Sequence, residues 1–100
     1  MDGDQTPETL LAGYRRQIDA LDERLFTLIS QRMAIVKKVG RAKASSGQAI
    51  ADPVREAQVR ERLKERTQGL LEPWHVEELA AIIMRISRDI QEEAARNRGL

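Results

Sequence analysis

Seven polar side chains stand where this chain's helical patterns leave room for chemistry. They are Arg15, Arg32, Lys43, Asp52, Glu56, Ser87 and Gln91. Arg32 is the most conspicuous, because the apolar register around it asks for a hydrophobe, and a charge in a helix seam costs several kcal/mol unless it is paired or faces a ligand. Lys43 follows eleven residues later, close to three turns, so both side chains leave the helix on nearly the same face, about 16 Å apart along the axis. Two long side chains can close that gap around a small anion. Arg15 lies about 25 Å before Arg32 along the same axis. It can join such a site only from a second copy of the chain, as an antiparallel pairing would allow. Ser87 and Gln91 lie one turn apart, as do Asp52 and Glu56. Together these residues make a cationic pocket with a hydroxyl, an amide and two carboxylates, suited to a small dicarboxylate that carries a hydroxyl group. Taken singly, each has an ordinary explanation: Asp52 as a helix cap, Arg32 as a snorkelling or paired cation, Arg15, Lys43 and Glu56 as solvated charges, Ser87 as a tolerated helix serine and Gln91 as a solvated surface residue. The constellation carries the argument.

The elements that must position them are helices. From about Leu10 to Ala44, Leu11, Tyr14, Ile18, Leu21, Leu25, Leu28, Ile35 and Val39 recur at steps of three and four, with no proline inside the run. Such a helix is about 50 Å long, whereas a compact domain of this size has a radius of gyration of about 13 Å. Ser45, Ser46 and Gly47 end the pattern. Asp52-Pro53 opens a second helix to about Arg66, with a thin apolar face made of Val54, Ala57, Val59 and Leu63. Pro73 opens a third, to about Arg96, with Val76, Leu79, Ile83, Ile86 and Ile90 in register and Ile82 beside them. No strand pattern or repeat is present. The expected fold is all-α, long, short and long helices forming an intertwined homodimeric bundle, because a second long helix is the simplest cover for the first. Residues 1–8 read as a disordered lead-in, 9–96 as the helical domain and 97–100 as a frayed end.

Composition narrows the function classes. The chain has 100 residues, 33% of them charged, and a formal net charge of +1, a balance that argues against a nucleic-acid binder. It has no cysteine, which removes disulfide and thiol chemistry and fits the cytoplasm. The acidic, polar start is unlike a signal peptide, and no apolar run approaches the ~20 residues of a membrane span. A soluble cytoplasmic protein is expected. His75, the only histidine, reads as a surface residue.

The run LDERLFTLISQR, then VGRAKA, then DPVREAQVRERL, together with the Ser87–Gln91 pair, resembles the small all-helical chorismate mutases of the AroQ class, from about Leu10 to Gln91. The resemblance implies an intramolecular [3,3] rearrangement of chorismate to prephenate, in phenylalanine and tyrosine biosynthesis, with no metal and no organic cofactor. It implies that Arg32, Lys43 and the partner copy's Arg15 bind the two carboxylates. Lys43 and Gln91 would hydrogen-bond the ether oxygen, and Glu56 the ring hydroxyl with the backbone around Asp52. Ser87 would support a carboxylate contact and Arg55 would assist at the loop. It leaves room for a partner enzyme of the aromatic pathway. The rival expectations are an isochorismate pyruvate lyase or an amino-chorismate mutase on the same scaffold, or a non-catalytic helical dimerisation module.

Overall fold

The computed structural model describes residues 6–97 and contains three helices, α1 (Pro7–Ser46), α2 (Pro53–Arg66) and α3 (Pro73–Asn97), with no strand among the described residues. The chain divides into two compact units, Met1–Arg32 and Met33–Leu100. Of the expected disordered ends, residues 1–5 and 98–100 lie outside the described residues. Among the described residues no helix is long and apolar enough to cross a membrane.

Each helix boundary has a local cause. α1 starts earlier than its apolar pattern implies, because Thr6 caps it: Thr6 Oγ1 accepts the Thr9 N–H at 3.1 Å and Pro7 takes the first helical position. At its other end Gly47 adopts φ +72° and the Gln48 N–H donates to Lys43 O at 2.9 Å. That bond closes a Schellman motif around a left-handed residue that glycine adopts without strain. Asp52 caps α2 through its carboxylate, which accepts the Arg55 N–H at 3.1 Å. Thr67 ends α2 by donating its own N–H and hydroxyl to Leu63 O, at 3.1 and 2.8 Å. α3 begins at Pro73, and the Glu72 N–H donates to His75 Nδ1 at 3.0 Å. His75 is therefore half-buried and caps a helix, with its ring centroid 3.7 Å from that of Trp74, rather than lying loose on the surface.

In the first unit the aliphatic stripe of α1 is uncovered: Leu21 is 58% exposed and Leu28 59%. In the second unit the core is small. Val36, Val76, Ala80, Met84 and Ala94 are its buried apolar residues, joined by Gly40, Ser87 and Gln91. α2 buries no residue, as its thin apolar face implied. Within the single chain, the face that α3 buries is offset from its branched stripe. Val76, Ala80, Met84, Ser87, Gln91 and Ala94 point inward, while Leu79 and Ile82 are exposed and Ile83, Ile86 and Ile90 are half-buried. At 100° per residue the buried face is turned about 90° from the branched stripe. Small residues at 80, 87 and 94 let another backbone approach closely, and branched aliphatics would hold it off.

Candidate active site

In the second unit α1 and α3 approach each other closely. A Cβ placed on Gly40 would lie 2.6 Å from Gln91 O and 2.7 Å from Gln91 Cα, well inside van der Waals contact. Two turns before Gly40 along α1, the Met33 Sδ lies 3.9 Å from Ser87 Oγ. Met33 thus meets Ser87 and Gly40 meets Gln91, so the two helices run in the same sense here. Lys43 leaves α1 one turn beyond the closest approach to Gln91.

Lys43 is half-buried, and its Nζ donates to Ile50 O at 2.8 Å. An ammonium has three donors, so this bond ties down the α1–α2 loop and leaves two N–H groups for other acceptors. Asp52 and Arg55 stand on that loop's exit, both exposed, with the aspartate occupied in capping. Glu56, one turn further into α2, is half-buried and its Oε1 accepts from Arg88 Nη1 on α3 at 2.7 Å. Ser87 is buried and donates to Ile83 O at 2.7 Å. Gln91 is also buried, at 8% exposure, with Nε2 donating to Ser87 O at 3.2 Å. Its Oε1 is buried without a hydrogen-bond partner among the described residues. Leaving such an oxygen unpaired costs about 1–3 kcal/mol, a cost that a donor from a ligand or water would offset. The Ser87 carbonyl sets the amide orientation, since a flipped Gln91 would turn oxygen against oxygen.

The structure thus gathers Lys43, the α2 start with Asp52, Arg55 and Glu56, and the α3 pair Ser87 and Gln91 within one unit. Arg15, exposed, and Arg32, half-buried, lie on α1 in the other unit. A shallow groove along α1, lined by Glu23, Arg24, Thr27, Leu28 and Gln31, holds none of these candidates. Two residues escape the sequence reading. In the sequence Gly40 is simply a glycine near the end of the first helix. Arg88 was one arginine among many, 32 residues from Glu56, and no periodicity pairs them.

Residues 14–92 match the family described as chorismate mutase type II, a stretch that includes every candidate residue above. The chain belongs to that family. Similar relatives are the bifunctional chorismate mutase/prephenate dehydratases of Escherichia coli (strain K12), Escherichia coli O157:H7 and Shigella flexneri, each 40% identical over 58 residues. That alignment takes in 58% of this chain and 15% of each relative, so the chain spans a small part of their length. No solved structure matches significantly.

Proposed function

We propose that this chain catalyses the rearrangement of chorismate to prephenate as a homodimer with two shared sites. The observation that carries the reading is the family match over residues 14–92, with Lys43 one turn from the close contact at the buried Gln91. In this reaction one C–O bond breaks as one C–C bond forms within a single molecule. No nucleophile or redox partner enters the balance. The work is to hold the enolpyruvyl side chain over the ring in a reactive conformer and to stabilise negative charge growing on the ether oxygen. In this reading Lys43 supplies a charge-assisted donor and Gln91 a neutral one, through the second N–H of its amide. Arg32 and Lys43 bind the carboxylates, with Arg15 from the second copy. Glu56 accepts from the ring hydroxyl beside Asp52, Arg55 assists at the loop and Ser87 supports a carboxylate contact.

The dimer is supported by the exposed aliphatic stripe of α1. Tyr14, Ile18, Leu21, Leu25 and Leu28 are each exposed, and a contiguous apolar strip of that length marks an interaction surface. A second copy of α1 carries a stripe of matching length. The reading includes a cytoplasmic setting, which the cysteine-free composition fits, and a contribution to phenylalanine and tyrosine synthesis. It also leaves a place for a partner enzyme of the aromatic pathway at the dimer's surface.

The deciding experiment follows the loss of chorismate absorbance and identifies the product. Prephenate supports the proposal, salicylate with pyruvate replaces it with a lyase, and no turnover removes catalysis by this chain alone. Two further outcomes are expected. Arg15→Ala and Lys43→Ala variants, each inactive, regain activity when mixed after subunit exchange, because one hybrid site is then intact; proven exchange without recovery sinks the shared site. Gln91→Glu moves the activity optimum to lower pH, because a carboxyl group donates only when protonated whereas an amide donates at any pH. An unchanged pH profile removes Gln91 from the ether oxygen.

A further inference from the structure

We propose that Arg88 is a positioning residue that aims the Glu56 carboxylate at the substrate's ring hydroxyl, an inference that rests on the chorismate reading above. Two ion pairs bridge α2 and α3. Arg88 Nη1 donates to Glu56 Oε1 at 2.7 Å, while Arg60 Nε lies 3.2 Å from Glu77 Oε1; the two arginines are about equally exposed, but Glu56 is largely covered and Glu77 is not. The second pair is not aligned for a hydrogen bond. The first is shorter, aligned, and set among the candidate residues: Arg88 follows Ser87 directly and precedes Gln91 by one turn.

The chemistry of the two groups gives the pair its direction. A guanidinium is a planar set of donors with no acceptor, so it fixes the plane of a carboxylate it binds. A carboxylate offers about four lone-pair sites on two oxygens. One N–H on Oε1 therefore leaves acceptor capacity for a hydroxyl proton. Without Arg88 the Glu56 side chain regains rotamers about three torsions and spends less time in the accepting geometry. Arg88 is carried on the same stretch of α3 as Gln91, so the hydroxyl acceptor and the neutral donor are referenced to one rigid helix.

The test uses the full chain, chorismate as substrate, and the Arg60–Glu77 pair as an internal control. Arg88→Ala is expected to lower kcat/KM about tenfold, the worth of one well-aligned hydrogen bond to a charged group. Its thermal midpoint should fall somewhat further than that of Arg60→Ala, because the broken pair is the shorter, hydrogen-bonded one, so activity is compared at a temperature where both variants are fully folded. Arg60→Ala breaks the other interhelical pair and should leave kcat/KM within about twofold. Arg88→Lys should recover part of the loss, and Arg88→Ala should add little in a Glu56→Gln background. Equal activity losses in Arg88→Ala and Arg60→Ala would reduce Arg88 to a helix tie and overturn the inference. If wild type makes prephenate but Glu56→Gln is fully active, the inference fails while the proposed function stands. A wild-type chain that leaves chorismate unchanged removes both.

Discussion

Gly40→Ala is expected to lose most of the activity and to melt several degrees lower, although alanine is the better helix former. The added Cβ would meet Gln91 O at 2.6 Å and Gln91 Cα at 2.7 Å. Both atoms are backbone, so no rotamer change relieves the clash and α1 must move away from α3. Overpacking of this kind costs about 1–3 kcal/mol, against about 1 kcal/mol gained by replacing a glycine inside a helix. A net loss of up to about 2 kcal/mol follows, at about 4–8 °C per kcal/mol for a domain of this size. Activity should suffer more than stability. The displacement falls between the Gln91 backbone and the helix turn that carries Lys43, and a shift of about 1 Å in a reactive geometry costs about a hundredfold. Gly13→Ala is the matched control. Its added Cβ would meet only the flexible end of Arg16, at 3.8 Å, away from the aliphatic stripe, so it should stabilise α1 by up to about 1 kcal/mol. Thermal melts and kcat/KM for both variants check the pair. A fully active Gly40→Ala would show that the site tolerates a wider α1–α3 separation.

Lys43→Ala is expected to lower kcat by about 10²–10³-fold, the usual cost of removing one preorganised donor at a developing oxyanion. The structure separates that effect from a folding defect. Lys43 contributes one charge-assisted hydrogen bond to the loop, to Ile50 O at 2.8 Å, worth about 1.5–3 kcal/mol in stability. A two-to-three-decade loss of kcat at saturating chorismate, measured well below the variant's melting temperature, would assign the loss to the reaction. A rise in KM with kcat intact would instead assign Lys43 to carboxylate binding alone.

Much of the fold was legible because it is decided locally. Asp52-Pro53 and Pro73 open helices as their types dictate, since capping and the fixed proline φ involve only the nearest few residues. The one shifted start, at Pro7, also follows from a local cap: the apolar rhythm begins later than the Thr6 hydroxyl that ends the orphan N–H groups. The candidate residues Lys43, Glu56, Ser87 and Gln91 were found by type and register, because a polar residue beside an apolar stripe is visible in one dimension. Their partners were not visible. Arg88 reaches Glu56 only because α2 and α3 dock at one particular level, and nothing in either segment encodes that level.

The face of α3 makes the same division sharper. Sequence by itself determined that residues 73–97 are helical and that one side is rich in Leu and Ile, since helical period and hydropathy are properties of the segment. Which side packs within the second unit was decided by tertiary contact. Gly40 lets α1 come to within a Cβ's width of the Gln91 backbone, and the face of α3 buried there carries the small Ala80, Ser87 and Ala94 beside Val76 and Met84. The small and polar side of α3 is therefore buried, and Gln91 with it. Helical period marked the aliphatic stripe as a face that needs cover. Steric fit at one glycine assigned the inside instead to the residues that could do chemistry.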